Sequence, residues 1–134
     1  MSIASTIAVS GLNVASLRLQ VAANNIANSR SDGPLPDAAN PEEFPNAYTP
    51  LRVNQTDVVG GGTSATVTTV SPATVPSFDA TAPFADSNGM VAGPNVDLAN
   101  EFMQLLIARY TFAANAQVIR ADAQMSSSLL NIIS

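Results

Sequence analysis

The 134 residues contain no cysteine, no histidine, no lysine and no tryptophan. Without cysteine there is no disulfide and no thiolate metal site, and the redox compartment stays open. Without His, Cys and Lys, the acid/base and nucleophile repertoire shrinks to Asp, Glu, Ser, Thr and Tyr. The only adjacent carboxylates, Glu42 and Glu43, sit in a Pro-rich loop where neighbouring side chains point apart. The chain is therefore expected not to be an enzyme, with no catalytic residue, cofactor, metal site or small-molecule substrate. Aromatic residues make up 5% of the chain against 46% apolar, so most apolar side chains are Ala, Val, Ile and Leu. These allow helices to approach closely but bury little area each, which argues for a shared interface over a large private core. The five cations are all Arg and form no basic patch, which argues against nucleic acid and against a membrane-active helix with a cationic face.

Long hydrophobic runs are missing as well. No stretch approaches the roughly 20 strongly apolar residues of a membrane span. The uncharged, Ala/Val/Ile-rich start lacks a positive leading region and is interrupted by polar residues, so a cleaved signal peptide is not expected. The net charge of −5 lies in the middle: residues 30–96 carry −5, residues 1–29 carry +1 and residues 97–134 carry −1. Nearly neutral ends can associate without much repulsion, while an acidic middle stays hydrated.

What is present is organised around the last third. Residues 97–134 contain no Pro and no Gly. One seam runs Leu98, Phe102, Leu105, skips the charged Arg109, and continues Phe112, Ala116, Ile119, Ala123, Ser126, Leu130, Ile133 in steps of three and four. A second runs Ala114, Val118, Ala121, Met125, Ser128, Ile132. This is the period of a helix that packs along its whole length. At about 1.5 Å per residue it is on the order of 57 Å long, well beyond the roughly 13 Å radius of gyration of a compact domain, so it is expected to protrude. Asp97 is the expected N-cap, Glu101 adds negative charge to the first turn, and Pro94 blocks a helix entering from upstream.

Residues 2–28 repeat the design, with seams Ile3, Ile7, Ser10, Val14, Leu17, Val21 and Ser5, Ala8, Leu12, Ala15, Leu19, Ala22, Ile26. Three asparagines, Asn24, Asn25 and Asn28, close this helix. They read either as a fraying end with Asn in capping or left-handed positions, or as amides that bond across an interface to neighbouring backbone. From Arg30 to Tyr48 the chain reads as loop, with Pro34, Pro36, Pro41 and Pro45. Residues 49–70 read as a hairpin turning at Gly60-Gly61-Gly62; no Lys follows these glycines, which argues against a phosphate loop. Residues 71–96 read as extended, with a turn at Asn88-Gly89. Asp86, Ser87 and Asn88 lack the spacing and the closing Glu of a calcium loop.

The segments divide as 1–29, N-terminal helix; 30–96, central loop and hairpin; and 97–134, C-terminal helix. The expected fold is mainly α with a small β part, its long terminal helices paired as a coiled-coil-like hairpin around a central β-hairpin insertion.

Asn24-Asn25-Ile26-Ala27-Asn28 at the end of an N-terminal helix resembles the signature of bacterial flagellar axial proteins, the rod, hook and hook-associated family. Pro83 to Glu101, reading PFADSNGMVAGPNVDLANE, is similar to the signature of the basal-body rod protein C (FlgC) branch of that family, in which an A-D-x-x-G-Y-V segment leads to P-N-V-D and a long helix. Met90 stands where that branch usually has Tyr, and the Pro34 to Pro45 stretch is longer and more acidic than usual. The resemblance implies a structural subunit of the proximal rod in the flagellar basal body. Such a subunit is exported uncleaved through the flagellar type III apparatus and assembles helically in the periplasm, where it transmits torque and encloses the export channel. Its partners would be copies of itself, other rod subunits, and ring and export-gate components. The residues expected at subunit interfaces are Ile7, Leu12, Val14, Leu19, Val21, Asn24, Asn25, Ile26 and Asn28 on the N-terminal side. On the C-terminal side they are Asn95, Val96, Asp97, Phe102, Leu105, Phe112, Val118, Ile119 and Met125.

Overall fold

The structure, a computed structural model, describes residues 2–36 and 41–133, with only the backbone of Pro41 and Ile133. Helix α1 spans Ile3–Ala27 and helix α2 spans Leu98–Ile133. Between them lie a hairpin of β1 (Leu51–Asp57) and β2 (Thr63–Thr69), then a second two-stranded sheet of β3 (Thr74–Phe78) and β4 (Met90–Pro94). The expected two-helix, helix-dominated fold with a β-hairpin insertion is the observed one. The expected helix end at Ser134, and residues 37–40 of the expected loop, lie outside the described residues.

Each helix starts on a side-chain cap. Asp97 Oδ1 accepts from Ala99 N at 3.0 Å and Asn100 N at 3.2 Å, as its position before the helix predicts. Ser2 does the same for α1, its Oγ accepting from Ser5 N at 3.1 Å.

The hairpin falls where alternation and the glycine triplet place it. Gly60, Gly61 and Gly62 all have positive φ, between 90° and 104°, a conformation that side chains with a Cβ resist. Two expectations for the middle need correction. Residues 71–96 are not merely extended: β3 pairs antiparallel with β4, from Thr74 opposite Pro94 to Phe78 opposite Met90. Pro76 sits inside β3, which is tolerated on an edge strand where the missing N–H faces away from the partner. The Arg30 to Tyr48 stretch also carries a short 3-10 turn at Pro41–Glu43, and its Gly33 bridges to Ala92 of β4. The turn at Asn88-Gly89 is present. Asp86 Oδ1 accepts from Asn88 N and Met90 N, both at 2.8 Å, and these bonds, Met90's first, hold the Asp86 carboxyl below its ordinary range.

The chain forms two compact units. One comprises α1 up to Gln20, Val53–Thr66 and α2 from Met103 onward; the other comprises Val21–Arg52 and Val67–Phe102. In the first, the buried residues are small: Ser5, Ala8, Gly11, Val14 and Ala15 from α1, and Ala108 from α2. In the second, Val21, Ala22 and Asn25 of α1 are buried, as are Pro50 and the β4 residues Val91 and Ala92. Phe44 and Phe84 pack there with ring centroids 5.6 Å apart.

Candidate assembly surface

In the first unit α1 and α2 run antiparallel and meet through small and polar side chains. Ser5 Oγ donates to the Asp122 carboxylate, Gly11 faces Asn115, and Arg18 Nη1 donates to Gln104 Oε1 at 2.9 Å. A Cβ on Gly11 would stand 2.6 Å from Asn115 Nδ2, so any larger residue there must displace the Asn115 side chain. The bond from Ser5 is the largest reason that the Asp122 carboxyl titrates below its ordinary range. The hairpin tip is tied to the same stretch of α1: Thr63 N donates to Ser10 Oγ at 3.0 Å, and Ser10 Oγ donates to Ile7 O at 2.7 Å. Arg18 Nη2 donates to Gln55 Oε1 of β1 at 2.9 Å.

In the second unit Asn25 is the central polar group, and it is fully buried. Its Nδ2 donates to Leu51 O and to Glu101 Oε1, both at 2.8 Å. Its Oδ1 accepts from Tyr48 Oη at 2.9 Å and from Leu51 N at 3.0 Å. Both donor hydrogens and both acceptor lone pairs are thereby used, which is the condition for burying an amide without penalty. Burial raises the Tyr48 pKa, with the Glu101 charge adding to it, so the phenol stays protonated and able to donate. Burial also raises Glu101, against the opposing bond from Asn25, and nearby Asp97 adds to the rise.

The three asparagines therefore do different work. Asn25 bonds to backbone and side chains of its own chain. Asn28 Nδ2 donates to Asn24 O at 2.9 Å and Asn24 Oδ1 at 2.8 Å, which finishes the helix. The left-handed alternative is corrected: among the described residues every positive φ belongs to glycine.

The large apolar side chains lie elsewhere. On α2, Phe102, Met103, Leu106, Tyr110, Phe112, Val118, Met125, Leu129 and Ile132 are exposed, and Tyr110 is 70% exposed. Ile3, Ile7 and Leu19 are exposed on α1. Of the residues expected at interfaces, Ile7, Leu19, Asn24, Asp97, Phe102, Phe112, Val118 and Met125 are exposed. Leu12, Ile26, Asn28, Asn95, Val96, Leu105 and Ile119 are half-buried, and Val14, Val21 and Asn25 are buried within the chain itself. Asn95 is held by β-region backbone, its Nδ2 donating to Pro72 O at 2.9 Å. Met103, Leu106 and Tyr110 are outward residues that the two seams left out. Their signal was that the seams followed by steps of three and four are not the only apolar stripe on so hydrophobic a helix.

An arrangement with small and polar residues inside and large apolar residues outside is the reverse of a self-sufficient bundle. It leaves a surface suited to burial by further helices. Among the described residues no group of His, Cys, Asp or Glu is placed to hold a metal ion, and no helix is long and apolar enough to cross a membrane.

Comparisons with known proteins agree with both ends of the chain. Residues 6–34, which hold most of α1 and the asparagine motif, match the family described as flagella basal body rod protein. Residues 87–132, which hold the turn, β4, the Asp97 cap and most of α2, match the family described as flagellar basal body rod FlgEFG protein C-terminal. The chain is 35% identical over 139 aligned positions to the flagellar basal-body rod protein FlgC of Agrobacterium fabrum, covering 99% of this chain and 95% of that protein. The chain belongs to the FlgC-type family of flagellar basal-body rod proteins and is a structural subunit of that rod.

Proposed function

We propose that the subunit builds the rod by mutual burial of the outward faces of α1 and α2 against copies of itself and other rod subunits. A heterologous contact of this kind repeats without closing on itself and so propagates as a helical array. Residues 1–29 and 97–134 form the helical core of that array, which encloses the export channel and transmits torque. Residues 30–96 are the insertion carried on it, and ring and export-gate components are neighbours at the array's margins. The array stands in the periplasm, reached by export without a cleaved signal. The role is mechanical, with no substrate and no catalysis.

The observation that carries this reading is the orientation of α2. Its small and polar Ala108, Asn115 and Asp122 face α1, while Phe102, Phe112, Val118 and Met125 are left to water. Fully burying an exposed side chain of this size contributes about 1.5–3 kcal/mol, and these are about half exposed, so several per subunit are needed to stabilise a contact strongly. The test is assembly by chains carrying Phe112→Asp or Leu19→Asp. Both residues are nearly half exposed, at 46%, so the free chain keeps its helix content by circular dichroism. Neither variant enters isolated basal bodies. Ordinary rods containing either one would overturn the reading.

A further inference from the structure

Arg18 is the only charged residue of α1. Its Nη1 bonds to Gln104 Oε1 and its Nη2 to Gln55 Oε1, both at 2.9 Å. Both acceptors are neutral amides. Among the described residues no carboxylate lies within ion-pair distance of it. A guanidinium has five N–H donors, so the two glutamines leave three unused, held in a fixed plane between α2 and β1. That geometry suits a carboxylate, which guanidinium binds through two parallel bonds.

The half-buried guanidinium borders a cleft of about 180 Å³. Val14, Ala15 and Ile107 give it apolar walls, and the hydroxyl-bearing Thr63 and Thr111 also line it. At about 30 Å³ for a water in the liquid, the cleft has room for a long acidic side chain whose methylenes lie on the apolar walls. A cation pinned by neutral groups beside an open cleft is arranged to receive its counter-charge from outside.

Charge complementarity identifies where that charge comes from. The chain has ten carboxylates against five cations. Asp79, Asp86, Asp97, Glu101 and Asp122 are already engaged in turns, caps or the contacts described above. Of the other described carboxylates, Asp32 and Asp57 are a methylene shorter than glutamate and reach less far into a cleft. Glu42 and Glu43 are exposed, adjacent and without a hydrogen-bond partner among the described residues. Glutamate also has the reach that a cleft requires. We infer that the Arg18 cleft of one subunit receives a glutamate, Glu42 or Glu43, of a second copy of this chain. This rests on the reading that copies pack against one another in the rod, and it adds a register: a buried charge pair fixes which stretch of one copy meets which stretch of the next.

The test is a charge swap in cells whose only copy of the chain carries the change. Arg18→Glu is accommodated in the free chain, because Gln55 and Gln104 can turn their amides and donate to the new carboxylate. Glu42→Arg with Glu43→Arg lies on an exposed turn and leaves the fold alone. Each set by itself puts like charges together and lowers the yield of rods in isolated basal bodies by about tenfold or more. The combined chain, with the charges exchanged, returns the yield to within about twofold of the original. Normal rods from the Glu42→Arg, Glu43→Arg chain would overturn the inference, as would a combined chain no better than its weaker parent. A loss confined to Arg18→Glu would likewise overturn it, since the carboxylate would then come from another rod subunit or from a free anion. The helix-packing reading fails separately, through Phe112→Asp and Leu19→Asp, which touch neither charge.

Discussion

Gly11 of α1 faces the side-chain amide of Asn115 on α2 so closely that any Cβ on Gly11 would fall 2.6–2.7 Å from three of its atoms. Asn115 is not free to move aside without cost, because its Nδ2 donates to Thr111 O at 2.8 Å. Gly11→Ala therefore has two opposed effects. Replacing glycine inside a helix gains about 1 kcal/mol of propensity, while the displaced Asn115 loses a bond worth about 1 kcal/mol and strains the helix pair. The single variant is expected to be no more stable than the original. The double variant Gly11→Ala, Asn115→Ala removes the clash and keeps the propensity, so it is expected to exceed the single variant by about 1 kcal/mol or more in urea unfolding. Equal stability of the two would show that the close approach is unimportant.

Asn25 holds a different kind of contact, and its removal is expected to cost more. Asn25→Ala orphans the Leu51 N–H and C=O, and strips Tyr48 and Glu101 of their partner. Each buried polar group left unsatisfied costs about 1–3 kcal/mol, so the loss is expected to reach about 3 kcal/mol or more. Asn25→Asp keeps the shape but sets a carboxylate against Leu51 O and Glu101. It is expected to be worse than alanine at neutral pH and to recover part of the loss in acid, where the new carboxyl can donate. Unfolding midpoints of both variants at neutral pH and near pH 4 check the ordering.

Much of the fold was legible because it rests on local pattern. The absence of Pro and Gly after Asp97, the steps of three and four, and the glycine triplet are enough to place α1, α2 and the β1–β2 hairpin. The Asp97 cap was legible for the same reason. The β3–β4 pairing was not, because Pro76 inside β3 masks the alternation and the register is set by a partner more than ten residues away. Nor was the work of Asn25. Three similar asparagines lie within five residues, and what separates them is tertiary: bonds to Leu51 and Glu101 that span 26 and 76 residues. The periodicity also showed two seams on α1 without showing which faces inward. Neither seam faces inward as a whole: the buried face takes Ser5, Ala8 and Ala15 from one and Val14 from the other, with Gly11 from neither, because small residues there let Asn115 and Asp122 of α2 come close.

The same polar contacts make stability respond to pH in two opposite ways. Glu101 has a folded pKa raised above its ordinary value of 4.5, chiefly by burial, so the folded chain binds the proton more tightly than the unfolded one. Its contribution is fully present below that ordinary value and is lost as pH rises through the raised one. Asp79, Asp86 and Asp122 are held below their ordinary value of 3.8, by the Thr81 hydroxyl first for Asp79, the Met90 N–H first for Asp86 and the Ser5 hydroxyl first for Asp122. Their contribution is present above 3.8 and is lost as pH falls through the depressed values. Stability is thus expected to fall on the acid side through the three aspartates, and to fall again through Glu101 as pH rises from 4.5 through its raised value. Glu101→Gln removes only the second loss. Its unfolding midpoint is expected to stay flat between the ordinary and raised Glu101 values while still dropping in stronger acid. A variant whose midpoint keeps the original slope above pH 4.5 would show that another group, not Glu101, titrates there.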